Sequence, residues 1–403
     1  MQPTLKGRLA NLDVARGFAV LGILLANIIA FHYPVLADEL GQKHVWAGVD
    51  LWIERMTVAF VNGKFRGLLC ILFGVGMWLQ YQSRTRSGGD WPGSYLKRMF
   101  VLFAIGAFHG LFIWYGDILS HYAITALMSF WVVKLPTPTL VKIIAGLAVF
   151  SVSCGVAIGA MGTTSGIPPE SLEPIQGLIN GELAAYKDGT YGQQFLYRGA
   201  VFMLSLLSAP FLAPAFMMLF IFGVLLGRAD FFIDPNRVPA LRNWMLGVGL
   251  GVGLPLNGIA MTLNNAQLGA YVNFLEIAGG ALLSVGYLVV LVLLLKSSVV
   301  QWLLRPLQNV GRMALSCYLL QSLLCTTLFY SYGLGFFSSL SRSQLLQVVI
   351  GVWIVNLIFA AVWLRFFTIG PVECLWRAWS EGTPFNLRQR GREEVSAPPV
   401  LGG

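Results

Sequence analysis

Three residues of one short segment, FHGLFIWYGDILSHYA, have types and spacing suited to proton transfer: His109, Asp117 and His121. Imidazole ordinarily titrates near neutrality, and a carboxylate that holds one ring nitrogen leaves the other free as a base. Such a base deprotonates a hydroxyl or an amine. His109 lies eleven residues beyond Arg98, which on a helix is ~16 Å, near or just past the middle of a bilayer. Asp117 and His121 follow the tight turn at Gly116 and, four apart, share one helix face. An antiparallel hairpin brings Asp117 toward His109, while a depth difference of about 9 Å measured from the turn leaves direct contact open. Ionisable groups at membrane depth are expensive and as a rule functional or paired. The plain alternative for His109 is a packing hydrogen bond between helices. His121 sits nearer the interface, where histidine is cheap.

Other polar residues interrupt apolar runs. In LDVARGFAVLGILLAN, Asp13 and Arg16 are three apart and can pair on the helix surface, and Asn27 falls in the far half of the same run. Lys64 and Arg66 open the next apolar run, placed to bind an anionic acceptor or to snorkel to headgroups. In NVGRMALSCYLLQS the polar members are Arg312 and Gln321; Arg312, at a helix start, is placed to meet a phosphate. In FFTIGPVECLWRAW, Glu373 and Arg377 are four apart and read as a surface pair. Glu276, early in the eighth expected span, has a role only if the chain is a transporter, as a member of a proton relay with His109 and Asp117.

The elements that must position these residues follow from composition. Of 403 residues, 56% are hydrophobic and only 11% charged, against roughly 25% charged in soluble domains. Lipid is the natural solvent for such a chain, and helices are the only open-ended way to satisfy its backbone there. The expected fold is an all-α polytopic membrane protein of about ten spans, near 13–31, 62–81, 97–115, 117–135, 140–161, 201–227, 242–262, 271–295, 312–332 and 345–367. These make one helical domain over 1–383, with an outer loop at 162–200 that forms short amphipathic helices, and a disordered cytoplasmic tail over 384–403. With the N-terminus inside, most of the 27 basic residues fall in cytoplasmic segments, leaving Lys43, Arg55, Lys64, Arg66, Lys187, Arg198 and Arg342 outside. Both termini are then cytoplasmic. The net charge of +9 follows from this bias and from anionic lipid, and calls for no nucleic acid. The first apolar run, broken by Asp13 and Arg16, reads as an uncleaved span rather than a signal peptide. The five cysteines are scattered without CxxC or Cys/His spacing, which excludes a disulfide framework or a zinc site, so no metal is expected. Glycines at Gly74 and Gly76, Gly155 and Gly159, and Gly247 to Gly253 mark close helix packing.

LDVARGFAVLGILLANI, the Lys64-Phe65 start of the second span, HGLFIWYGDIL, GRMALSCYLLQ and GPVECLWR together resemble the bacterial family of inner-membrane proteins typified by YeiB, over nearly the whole chain. Arg16, Gly17 and Asn27 are also similar to the first span of heparan-α-glucosaminide N-acetyltransferase and of the acyltransferase-3 proteins. That wider likeness implies acyl transfer from a cytoplasmic donor such as acyl-CoA to an extracytoplasmic or membrane acceptor. Acyltransferase-3 members carry histidine late in the first span where this chain has Asn27, and the N-acetyltransferase histidine has only loose counterparts in His32 and His44. The expected base is therefore His109, oriented by Asp117, with Asn27 donating to the developing oxyanion. Arg16, Lys64, Arg66, Lys97, Arg98, His121 and Arg312 are the candidate donor- or substrate-binding residues. No tightly bound cofactor is expected; acyl-CoA enters as a co-substrate. The expected partners are membrane lipids and a small-molecule or glycan acceptor, and a homo-oligomer is compatible with the sequence. The alternative function is a proton-coupled transporter of a small solute.

Overall fold

The apolar runs fold as helices because a backbone in lipid must satisfy its own N–H and C=O groups. The computed structural model describes residues 5–34, 37, 46–164, 172–262 and 269–382, and every regular element among them is helical. The first half comprises α1 (Leu5–His32), α2 (Gly48–Phe60), α3 (Lys64–Arg86), α4 (Tyr95–Phe108), α5 (Leu119–Ser129), α6 (Thr137–Thr164) and α7 (Leu172–Lys187). The second comprises α8 (Tyr191–Arg228), α9 (Pro239–Gly251), α10 (Gly253–Thr262), α11 (Gly269–Leu294), α12 (Ser298–Leu303), α13 (Arg305–Arg312), α14 (Ala314–Phe329), α15 (Arg342–Phe366) and α16 (Pro371–Glu381).

Among the described residues, seven helical stretches are long and apolar enough to cross a bilayer, or nine when each of two bent pairs is one span. The bends are 64° in α8, between Pro210 and Leu212, and 88° between α13 and α14. The segment expected to span at 117–135 is shorter than a full crossing: α5 has 11 residues and continues as a 3-10 turn over Phe130–Lys134. The segment between the first two expected spans holds a helix, α2 (Gly48–Phe60), that its sequence did not announce. The loop expected at 162–200 holds α7 and the first turns of α8. Residues 165–171, the tail over 384–403 and His44 lie outside the described residues, and so do the side-chain surroundings of Gly155 and Gly159. Large apolar side chains point outward along the bundle, among them Phe100, Val149, Leu207 and Trp302, as lipid-facing helices require.

Two crossings hold the bundle together at backbone range. A Cβ on Gly17 of α1 would overlap the Leu307 carbonyl of α13, and one on Gly311 would overlap the Asp13 carbonyl. Likewise a Cβ on Gly74 of α3 would strike the Phe220 carbonyl of α8, and one on Gly223 the Ile71 carbonyl. Without a hydrophobic driving force between helices in lipid, such close packing is what associates them. Of the Gly247–Gly253 run, Gly249 and Gly253 press on α11 while Gly247 and Gly251 meet no atom within 4 Å.

The break before α14 has a cap from a distant segment. Glu373 on α16 accepts from Leu315 N at 2.7 Å and Ser316 N at 3.1 Å with one oxygen, and from the Ser316 hydroxyl with the other. This overturns the expected surface pair of Glu373 with Arg377: a carboxylate at a helix N-terminus satisfies orphan backbone donors and meets the positive end of the dipole. Burial pushes its carboxyl above the ordinary range while the Ser316 bonds pull it down. Glu373→Ala strands two backbone donors and should destabilise by roughly 1–3 kcal/mol, read as a lowered melting temperature in detergent. Glu373→Gln, which keeps an acceptor, should fall between Glu373→Ala and the native chain.

Candidate functional site: a buried Asp–His–Ser line

After α4 the chain leaves α-helical geometry. His109–Ile113 form a π-turn, closed by a bond from Trp114 N to the His109 carbonyl at 2.9 Å. Single π-turns are rare and frequent at functional sites. At Trp114 the backbone becomes extended, with φ −154° and ψ 127°. Trp114 and Tyr115 both donate to the Ala30 carbonyl of α1, at 3.4 and 2.7 Å, and Trp114 stacks on Phe31 at 3.8 Å between centroids. Arg198 of α8, fully buried, donates to the Leu111 carbonyl at 2.7 Å and the Ile113 carbonyl at 3.3 Å. It satisfies the carbonyls that the π-turn leaves open, a role that its place among the expected outer-loop cations does not suggest.

This fold-back carries Asp117 to His109. Asp117 Oδ1 lies 3.0 Å from His109 Nδ1, and both side chains have no exposed surface. Asp117 Oδ2 accepts from Ser120 N at 2.7 Å, the bond a capping carboxylate makes to the first turn of the following helix. The approach needs a glycine one turn before His109, because a Cβ on Gly106 would meet Asp117 Oδ2 and Ser120 N at 2.6 Å. The contact left open by the hairpin arithmetic is therefore made.

The second imidazole nitrogen is also engaged. His109 Nε2 lies 2.9 Å from the hydroxyl oxygen of Ser322, on α14 and buried. A carboxylate oxygen that accepts from Nδ1–H selects the tautomer in which Nε2 receives the Ser322 hydroxyl. A serine in a membrane helix commonly bonds its own i−4 carbonyl instead. Here that alternative, to Tyr318 O, is 3.4 Å long, so the His109 bond is the better one by distance. The Tyr318 ring stands 5.2 Å from the imidazole, and its hydroxyl donates to the Gly116 carbonyl at 3.3 Å.

The remaining candidates divide by location. His121 is buried on α5 with Nδ1 3.2 Å from the Asp117 carbonyl and Nε2 3.2 Å from the Ser205 carbonyl, bonding backbone rather than the Asp117 carboxylate. Asn27 is half-buried on α1 and makes no hydrogen bond to His109 or Asp117. Lys64 is fully buried, donates to the Val58 carbonyl at 2.6 Å and stands within charge reach of Glu276, so it does not snorkel. Arg66 is exposed, with its guanidinium over the Phe216 ring at 5.8 Å. Arg16 bonds Asp13 at 3.0 Å, and Asp13 is within charge reach of Arg312 as well. Arg312 ends α13 rather than starting α14, is exposed, and donates to the Thr368 carbonyl at 3.1 Å. Arg98 pairs with Glu381 of α16 at 3.5 Å and stacks on Trp376 at 4.9 Å, while Lys97 is exposed. Arg98 and Arg312 thus flank α16, with Arg16 gathered beside Arg312. His32 accepts from Ser339 N and Leu340 N at 3.0 and 2.9 Å, which fixes a loop. No cluster of metal-ligating residues occurs among the described residues.

An all-helical membrane bundle with a buried Asp–His–Ser line is the class these features define. Residues 226–383 match the family described as protein of unknown function DUF418. Over 389 residues the chain is 32% identical to the uncharacterized protein YeiB of Escherichia coli, covering 92% of this chain and 95% of that one. It is 28% identical over 396 residues to the uncharacterized protein YxaH of Bacillus subtilis, covering 94% and 96%. A Bacillus acidopullulyticus protein described as an uncharacterized 39.9 kDa protein in the amylase 3′ region is 28% identical over 94% of this chain and 96% of its own. The chain belongs to the YeiB-like family.

Proposed function

We propose that this protein is a membrane-embedded acyltransferase of the bacterial inner membrane, with about ten spans, α5 and its 3-10 turn counted as a short one, and both ends in the cytoplasm. The observation that carries the reading is the orientation of His109: Asp117 holds Nδ1, and Nε2 faces a hydroxyl. That is the arrangement of a general base ready to take a proton from an oxygen or nitrogen nucleophile. The distribution of Lys and Arg between alternate loops supports the topology. Arg16, Lys97, Arg98 and Arg312 supply the positive charge where a phosphate-bearing donor such as acyl-CoA would dock, with Arg98 packed on α16 and Arg312 bonded just before it, and its thioester arm would reach between helices. The acceptor is a glycan, lipid or small molecule from the far side or the membrane. His109 and Asp117 have no exposed surface, so turnover requires α14 to part from the α4–α5 segment.

The test is acyl-CoA binding and acyl release by the purified protein in nanodiscs. His109→Ala should lower turnover by about 10²–10⁴-fold with the size-exclusion profile unchanged. Absence of acyl-CoA binding, together with an unaffected His109→Ala phenotype, would overturn the reading. Uptake into proteoliposomes that follows a pH gradient without a covalent product would replace it with proton-coupled transport.

A further inference from the structure

We propose that Ser322 is the nucleophile of a two-step transfer and carries the acyl group as a seryl ester between donor and acceptor. The inference deepens the acyl-transfer reading and rests on it. Its ground is the continuous line from Asp117 Oδ1 through His109 to Ser322 Oγ, at 3.0 and 2.9 Å, with all three side chains buried. A nucleophile bonded to a base, and that base bonded to an orienting third group, is the geometric signature of covalent catalysis. A base that served only an external acceptor would need its Nε2 lone pair free, whereas here it already receives a hydroxyl of the protein itself. A purely structural serine would be held by its own helix, and the Tyr318 carbonyl is the longer of its two contacts.

In the first half-reaction Ser322 Oγ attacks the thioester carbonyl and its proton passes to His109 Nε2. The tetrahedral adduct collapses, the C–S bond breaks, and the imidazolium protonates the departing thiolate. In the second, an acceptor hydroxyl or amine attacks the seryl ester as His109 takes its proton. The C–O bond to Ser322 then breaks, and the serine oxygen recovers that proton. Asp117 keeps the imidazole in the required tautomer and stabilises the imidazolium in both halves.

A covalent carrier makes a prediction that needs no knowledge of the acceptor. The protein in nanodiscs, given acetyl-CoA and isotopically labelled CoA alone, should exchange label between them, and acid-quenched samples should show one acyl group on the peptide containing Ser322. Ser322→Ala and His109→Ala should lower exchange by on the order of 10⁴-fold or more. Ser322→Cys keeps a nucleophile in place, so its adduct becomes a thioester released by neutral hydroxylamine, which separates lost chemistry from lost folding. Exchange that persists in Ser322→Ala overturns the proposal. So does labelled acetyl reaching a membrane or glycan acceptor in inverted vesicles with neither exchange nor ester, which leaves acyl transfer standing as a direct reaction. Native protein that neither exchanges nor delivers acetyl overturns both readings.

Discussion

Gly311→Val is expected to abolish recovery of folded protein, the largest structural effect of any single substitution considered. The new side chain would start inside the Asp13 carbonyl of α1. Overpacking ordinarily costs about 1–3 kcal/mol because side chains give way. Here the obstacle is backbone on both sides, with Gly17 and the Leu307 carbonyl forming the reciprocal contact. Relief requires α1 and α13 to separate, and the separation removes the packing that joins them in lipid. Gly17→Val should behave the same way. Gly146→Ala and Gly351→Ala, where an added Cβ meets nothing within 4 Å, should be recovered like the native chain. Fluorescence-detected size-exclusion of tagged variants reads all four, and a monodisperse Gly311→Val peak at native yield would contradict the crossing.

The second large effect is chemical. Asp117→Asn should leave the chain folded yet lower acyl transfer by about 10³–10⁴-fold, the order seen when the orienting carboxylate of such a line becomes an amide. An amide nitrogen facing His109 Nδ1 donates, so the imidazole proton moves to Nε2 and the lone pair that receives the Ser322 hydroxyl is lost. The bond from Ser120 N survives if the amide oxygen occupies the place of Oδ2, which protects the start of α5. Activity at the native level in Asp117→Asn would show that the carboxylate serves packing alone.

Much of the bundle was legible in the sequence because hydropathy has a direct physical meaning in lipid: a run must be long enough to cross and must close its own backbone bonds. Composition places one span over 117–135 and does not register that α5 gives way there to a 3-10 turn. His109 and Asp117 stood out because ionisable side chains are rare at depth. Ser322 closes the motif NVGRMALSCYLLQS without standing out there, since a membrane serine that bonds its own helix looks the same in sequence. Arg198 looks like a loop cation in sequence because nothing local announces that its partners are Leu111 and Ile113, 87 and 85 residues away. The i, i+4 spacing pairs Glu373 with Arg377, whereas its donors, Leu315 N and Ser316 N, lie beyond any local pattern. Gly17 drew notice through the Arg16–Gly17 likeness to acyltransferases, while its geometry speaks of contact with Leu307.

The extra residue in the His109–Ile113 turn sets an angular offset between everything before it and everything after. An α-helix advances about 100° per residue, so excising one residue from Leu111–Ile113 would let the helix wind on regularly while swinging Trp114 and Asp117 through that angle. His109 would keep its place on α4 and lose its carboxylate, and Tyr115 would turn away from Ala30. A chain one residue shorter there is thus an insertion-deletion analogue of Asp117→Asn, disabling the site by phase rather than by charge.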